Sequence, residues 1–577
     1  MSMRALVVAV SSLVCVGSAF ADLAKAVNPI VRGLRIAQNA DGSYGAPEHQ
    51  PLATARALQG FGRCSEKYTT QDGPFVRNGV AALLSHQQAD GSFAGPDEPL
   101  RLRITQEAAK ALDLVAKTAE YDAPKAKAKA FLDAEATRAL NQKDADHAVD
   151  RALGGLGGSA ADSHDTAALE ALAAQAVTPE NAHEMADVLI AVIDAVERDA
   201  AAKPKATPED KPIPDAPRRA LPKDDAERIA RIDEALKFLE AQQKDGRFGF
   251  DADSDAGVTG ITLTAVMRIS EELGRPYPAY VAPGLAWLAS LQKEDGGIYE
   301  HGLKNYITSV AIEALATSKD PQFRPSIDKA VAFLELTQLD EGEGYSAEED
   351  NYYGGFGYGS AERPDLSNSH FAIEALHAAG VPTDREAYSK AVEFLRRCQN
   401  LKETGPIPIT RPDGKVAVAG TDGGAQYRPG DSKAGDVTNP DGTVSPRSYG
   451  SMTYALLKSY LFAGLDPKDP KVAAAIGWIQ QNFTLDVNPG FTQGKGAEYQ
   501  GLYYYYVTLG RALEAYGQDT ITDKTGKERS WKRELAEAVL SQQTTDGYWI
   551  NQRSARWMEG NKVLTTAYAL LALDTTR

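Results

Sequence analysis

Asp365-Leu366-Ser367-Asn368-Ser369-His370 places a carboxylate, hydroxyls, an amide and an imidazole within one short segment, shortly after the glycine-rich Gly354-Gly355-Phe356-Gly357. Asp, Ser and Asn are residue types that cap a helix N-terminus, and Phe371, Ala372, Ala375, Leu376 and Ala379 follow at helical spacing. Asp365, Ser367, Asn368 and His370 could therefore cap that helix, or they could bind the polar head of a ligand. Aromatic residues crowd the same kind of position elsewhere. Tyr352, Tyr353, Phe356 and Tyr358 precede this helix, Tyr449 and Tyr454 begin the next, and Tyr503 to Tyr506 open another. Their faces could attract a cation or fill the core. Phe356, Tyr449 and Tyr454 join the ligand-binding candidates, with Trp557 from the polar stretch Arg553, Arg556, Glu559, Asn561 and Lys562.

A second group, Asp251, Asp253 and Asp255, sets three carboxylates at alternating positions ahead of a helix-like stretch. Oxygen ligands in this number suit a hard cation, and calcium is the ion they would hold. The opening is similar to an EF-hand loop, but Gly257 comes one place late and Thr262 stands where the closing Glu belongs. A displaced catalytic acid cluster and a solvated acidic turn are the other readings. No further cofactor is called for.

The elements that must position these groups are written in a repeat. An aromatic or apolar residue, Leu, three residues and Gln recur at Gln38, Gln88, Gln243, Gln292, Gln338, Gln399 and Gln543, with a Gly soon after at Gly42, Gly91, Gly246, Gly296, Gly342 and Gly547. Spacing near fifty residues between clean neighbours marks one supersecondary unit used repeatedly. Strand-type alternation is nearly absent, so the class is all-α. First helices are expected near 228–243, 281–292, 326–338, 385–399, 469–483 and 530–543, with partners near 259–273, 305–317, 367–380, 449–463, 501–516 and 562–574. Six hairpins suffice to close an α6–α6 toroid, one helix of each pair outside and one inside.

Residues 1–21 read as a secretory signal, with Arg4, an apolar run from Ala5 to Val16, and Ala19-Phe20-Ala21 as the cleavage site. Secretion or periplasmic export is expected. No later stretch reaches the roughly 18 apolar residues of a transmembrane span. Residues 22–116 hold two repeat copies, 117–202 an Ala-rich helical region broken at Gly154, Gly155, Gly157 and Gly158, 203–225 a Pro-rich linker, and 226–577 the toroid with a long loop at 401–447. Only Cys64 and Cys398 remain after cleavage, which excludes a disulfide framework. A formal charge of −17 argues against nucleic acid as a partner.

The Gln-to-Gly-to-aromatic repeat resembles that of squalene and oxidosqualene cyclases and, more distantly, of protein prenyltransferase β subunits, over about 29–116 and 226–577. The resemblance implies a toroid whose apolar cavity, beside the inner helices, receives an isoprenoid. Squalene cyclases carry Gly-Gly-Phe, a spacer, then Pro-Asp-x-Asp-Asp-Thr-Ala, and the middle Asp protonates the alkene. In Pro364-Asp365-Leu366-Ser367-Asn368 the first Asp is kept, Ser367 replaces the acid and Asn368 replaces the last carboxylate. A neutral hydroxyl cannot act as the strong, preorganised acid this step needs. The zinc site of the prenyltransferases and the Cys-Gly-Glu-Gln of thioester-containing relatives have no counterpart here. Three functions stay open: a cyclase-like protein binding an apolar small molecule or lipid with its usual acid lost, a secreted scaffold engaging a protein or glycan through its rim and loop 401–447, and a polysaccharide lyase using Lys562, Arg556 and the Asp251 cluster.

Overall fold

The computed structural model describes residues 27–47, 50–94, 100–141, 175–178, 181–202, 219–250, 253–300, 302–359, 363–492, 494 and 496–577. The signal at 1–21, the break at Gly154–Gly158, the linker prolines from Pro204 to Pro217 and Asp251 lie outside these residues. The chain divides into two compact units, one up to residue 207 and one from residue 208.

Among the described residues, the second unit is a closed double ring of twelve α-helices: α1 (Asp225–Gln242), α2 (Ala256–Glu272), α3 (Val281–Ser290), α4 (Lys304–Thr317), α5 (Arg324–Thr337), α6 (Leu366–Ala378), α7 (Glu386–Cys398), α8 (Gly450–Phe462), α9 (Pro470–Asn482), α10 (Leu502–Tyr516), α11 (Trp531–Ser541) and α12 (Lys562–Asp574). The even-numbered helices pack in sequence, each on the next, and α12 returns to α2. Odd-numbered helices lie outside and pack on their even-numbered neighbours. Composition explains the division. Inner helices are apolar or small on every side, so α12 is buried continuously from Val563 to Asp574. Outer α7 buries one stripe, including Ala387, Tyr388, Ala391, Phe394, Leu395 and Cys398.

Gln243 accepts from Gly246 N through its side-chain oxygen (2.8 Å), whereas in the other four of the five copies in this unit the repeated Gln is a staple between consecutive outer helices. From the end of one outer helix its amide donates to the carbonyl of the turn Gly and to a carbonyl in the first turns of the next outer helix. Gln292 reaches Gly296 O and Ser326 O (2.9 and 2.8 Å), Gln338 reaches Gly354 O and Ala387 O (2.8 and 2.9 Å), and Gln399 reaches Gly423 O and Lys471 O (both 2.9 Å). Gln543 closes the ring, donating to Gly547 O and to Arg231 O of α1 (2.9 and 2.8 Å). One glycine assignment from the spacing changes, and the copy that had no nearby Gly, Gln399, gains one. The partner of Gln338 is Gly354, not Gly342, which sits in the short turn Glu341–Glu343, and Gln399 uses Gly423. In both repeats an insertion separates the Gln from its Gly, so spacing alone misleads.

The turn glycine is required twice over. Gly354 has φ of 79°, and a Cβ on it would collide with Lys390 O of α7. Gly354→Ala is expected to cost about 2 kcal/mol or more through strain and clash, read by chemical denaturation, whereas the same change at Gly342 should be near neutral.

A further repeat element is a buried hydroxyl in the first turns of an inner helix, which accepts from the backbone just after the turn Gly. Phe248 N donates to Thr259 (2.9 Å), Ile298 N to Thr308 (3.0 Å), Phe356 N to Ser369 (3.1 Å), Ala425 N to Thr453 (3.0 Å) and Trp549 N to Thr566 (3.0 Å).

Loop 401–447 is folded. It carries β3 (Ile409–Thr410), β4 (Val416–Ala417), β5 (Asp436–Thr438) and β6 (Val444–Pro446) in the order β3-β4-β6-β5, with β4 and β6 parallel. Asn400 anchors its base, donating to Pro446 O (2.7 Å) and Ser448 Oγ (2.8 Å) and accepting from Gly420 N (2.9 Å). Strands of two or three residues are too short to leave an alternating pattern in the sequence.

In the first unit, helix Leu52–Arg63 packs on both Arg101–Val115 and Ala182–Ala202. Gln38 staples Gly42 O to Phe75 O (both 2.9 Å). In the next copy Gln87 does this, reaching Gly91 O (3.4 Å) and Pro124 O (2.9 Å), while Gln88 bonds His86 O.

Candidate functional site

A cavity of about 440 Å³ opens among the first turns of the inner helices. Val258 and Ile261 of α2, Tyr306 and Ile307 of α4, Ser367 of α6, Met452 of α8, Tyr504 of α10, and Leu564 and Tyr568 of α12 form its wall. The connections add Phe250, Tyr358, Tyr427, Lys433, Tyr449, Phe491, Trp557 and Met558. The side chains are positioned by the repeat. Val258, Tyr306, Ile307, Ser367, Ser451, Met452 and Leu564 each stand one or two residues before a buried repeat hydroxyl, the place where an inner helix turns its first residues to the axis.

The opposite half of the ring interior holds ions. Each inner helix supplies one: Arg268 (α2), Glu313 (α4), Glu374 (α6), Lys458 (α8), Arg511 (α10) and Asp574 (α12). Lys458 pairs with Glu374; Arg511 reaches Glu374 (3.1 Å) and Glu313 (3.6 Å); Arg268 reaches Glu313 (3.2 Å) and Asp574 (3.8 Å). Three cations and three carboxylates thus form one connected chain through all six helices. Burial alone would raise the Glu374 carboxyl, but Lys458 and Arg511 outweigh it and hold it well below the usual carboxylate range. Burial lowers Lys458 against the pull of Glu374.

Asp365 is the N-cap of α6, accepting from Asn368 N (2.8 Å) and Asn368 Nδ2 (3.0 Å). It is fully buried, which raises its carboxyl above the ordinary value, while Asn368 and the neighbouring Tyr427 hydroxyl pull it back down. Tyr427 in turn meets the Tyr358 hydroxyl at 3.0 Å. Ser367 Oγ lies 3.2 Å from the Tyr504 hydroxyl, which also bonds His370 Nε2. Burial, then the charge of Lys458, pushes the His370 imidazole well below its usual value, so the ring is neutral.

Of the sequence candidates, Ser367, Tyr449 and Trp557 line the cavity; Asp365, Asn368 and His370 stand behind that wall. Phe356 and Tyr454 are in the packed core, Tyr454 edge-on to Tyr505 at 5.6 Å, and neither lines the cavity. Among the four consecutive tyrosines only Tyr504 lines it; Tyr505 and Tyr506 donate to Thr484 O and Leu485 O (both 2.7 Å). Asp253 lies in β2 (Asp253–Ser254), paired with Phe250 of β1 (Gly249–Phe250). Asp255 lines the cavity and caps α2 through Val258 N (2.8 Å). Among the described residues no group of three His, Cys, Asp or Glu side chains is arranged to hold a metal ion, and no helix is long and apolar enough to cross a membrane.

Sequence reading missed Tyr306, Tyr427 and Tyr568, and it named Glu559 only as part of the polar stretch before α12. The repeat hydroxyl could have found Tyr306. Tyr427 could not be read, because it comes from the long insertion. Glu559 is fully buried and accepts from Tyr504 N (2.8 Å) and Asn551 Nδ2 (2.6 Å), so it caps α10; burial pushes its carboxyl up to about 7. Next to it Trp557 and Met558 have φ of 60° and 64° and are 46% and 55% exposed, and Leu303 across the mouth has φ of 56° and is 42% exposed. Non-glycine residues in this region are strained, a feature that concentrates at functional sites.

Residues 252–406 match the family model of the squalene-hopene cyclase C-terminal domain. They run from just before α2 to just past α7 and include the Asp365 segment. No curated protein matches the chain. Solved structures similar to it include the type II terpene cyclase MstE from Scytonema (16% identity, 60% of this chain and 97% of that chain, TM-score 0.34). A family 76 glycoside hydrolase from a bovine Bacteroides thetaiotaomicron strain aligns at 12% identity over 60% of this chain and 76% of that chain (TM-score 0.38). A protein from Actinoplanes aligns at 17% identity over 60% of this chain and 99% of that chain (TM-score 0.34).

Proposed function

We propose that this terpene cyclase-like protein is exported and binds an apolar, isoprenoid-type ligand in its inner-helix cavity, without starting cyclisation by alkene protonation. The observation that carries this reading is the cavity itself: about 440 Å³ walled by aliphatic and tyrosine side chains, within the range of small-molecule sites. The position that resembles the cyclases' acid is Ser367, whose hydroxyl faces the cavity. The nearby Asp365 carboxylate is turned to the start of its own helix, where Asn368 holds both of its oxygens.

A scaffold acting through loop 401–447 has less support, because that loop supplies Tyr427 and Lys433 to the cavity wall. For a lyase, Lys562 and Arg556 are poorly placed: they lie over the rings of Tyr548 (4.4 Å) and Trp557 (4.9 Å) and do not line the cavity.

Mass spectrometry of organic extracts from the purified protein, before and after incubation with squalene, tests both halves. A stoichiometric lipid, with squalene unchanged, is expected. Abundant cyclised triterpene would overturn the absence of protonation. A protein that is empty as purified and takes up no isoprenoid would overturn the ligand reading.

A further inference from the structure

The polar atoms of the cavity wall are predominantly hydroxyls, and they are arranged in chains. Ser367 Oγ, the Tyr504 hydroxyl and His370 Nε2 form one chain, and the Tyr358 and Tyr427 hydroxyls, beside Asp365, are joined in another. The charged groups on the wall, Asp255 and Lys433, are opposite in sign and already engaged. Asp255 accepts from Val258 N at 2.8 Å, and Lys433 Nζ sits 4.3 Å from the Tyr427 ring centroid and 3.8 Å from Asp431. Among the described residues, nothing on the wall offers net charge to an ionic head.

The first chain has a direction. His370 is buried, and among the described residues no protein group meets its Nδ1. A buried ring nitrogen is tolerated better as a bare acceptor than as an orphaned N–H. The proton therefore belongs on Nε2, which donates to the Tyr504 oxygen. Tyr504 then donates to Ser367, or directly into the cavity, and the chain ends on a hydroxyl hydrogen facing the ligand space.

We propose that the ligand is an isoprenoid bearing one neutral, hydrogen-bond-accepting oxygen, such as an alcohol or carbonyl, seated against Ser367 and Tyr504. This rests on the reading of the cavity as an isoprenoid site. His370 is a positioning residue that sets the donor direction of Tyr504.

The test is binding of three probes to the full-length protein by titration calorimetry: geranylgeraniol, the hydrocarbon of equal length lacking the hydroxyl, and geranylgeranyl monophosphate. Geranylgeraniol should bind on the order of tenfold more tightly than the hydrocarbon, the value of about one neutral hydrogen bond, and more tightly than the phosphate. Tyr504→Phe and Ser367→Ala should bring the alcohol-to-hydrocarbon ratio close to one while leaving hydrocarbon affinity unchanged. His370→Ala should lower the ratio, and His370→Gln, which restores a donor near Nε2, should recover it. Equal binding of alcohol and hydrocarbon to the unmodified protein would overturn the oxygen requirement and leave the cavity reading standing. Tighter binding of the phosphate would overturn neutrality. Binding of none of the three would overturn the cavity reading and this proposal together. The three probes on the unmodified protein decide these outcomes even if a variant fails to fold.

Discussion

Glu374→Ala should destabilise the toroid by about 3–5 kcal/mol, the usual effect of removing one partner from a buried ion pair. Glu374 is the counter-charge of Lys458, which is buried, and a partner of Arg511, which keeps Glu313 and Glu514, so its loss leaves Lys458 buried without a carboxylate partner. Substituting Glu374→Met together with Lys458→Met should cost much less than Glu374→Ala, because both charges are removed. Denaturant titration followed by circular dichroism gives the comparison. Equal losses in the single and double variants would show that the helices, and not the charge pairing, carry the effect. The pH response follows from the carboxyl being held below its usual range in the folded state. Its stabilisation is present above the ordinary carboxylate value of 4.5 and is lost as pH falls through the lowered folded value.

Glu559→Gln should remove a pH dependence of the opposite sign. The folded protein keeps the Glu559 proton up to about pH 7, whereas the unfolded chain releases it near 4.5. The folded state therefore binds more protons across that window, and stability falls as pH rises from about 4.5 to about 7. The loss attributable to this one group is roughly 3 kcal/mol. Melting temperatures of the parent protein and Glu559→Gln, measured every half unit from pH 4 to 8, should diverge in this window, with the parent losing ground as pH rises. Gln keeps an acceptor for Tyr504 N, so the α10 cap survives the substitution. Parallel curves would mean that Glu559 is ionised throughout.

The helical hairpins were legible because the inner and outer helices differ in composition and because the Gln staple needs a fixed residue type at a fixed place. Expected and observed helix bounds agree to within a few residues for most of the twelve, as at 562–574 for α12. What spacing could not show was which Gly each Gln holds once an insertion intervenes, as with Gly354 and Gly423. At the site, Ser367, Tyr449 and Trp557 could be chosen from residue type near the start of an inner helix. Phe356 and Tyr454 share that signal, but their backbone positions turn them into the packing between rings. Side-chain direction at a helix start is set by the turn before it, and a one-residue change of phase separates cavity from core. The ion chain was invisible for a related reason. Its six members are isolated charges in six apolar helices, and only ring closure brings them together.

The staple from Gln543 to Arg231 O joins residues 312 positions apart. Every other outer-helix junction forms between neighbours in sequence, so the ring can be assembled hairpin by hairpin until this last seam. Until then the arc has two raw edges, an apolar face of α2 at one end and an unpaired inner helix at the other. Such a high-contact-order step is slow, and exposed apolar edges invite pairing between chains. A half-built ring that meets a second unfinished copy before it closes can pair with that copy instead, so the yield of folded protein is expected to fall as chain concentration during refolding rises.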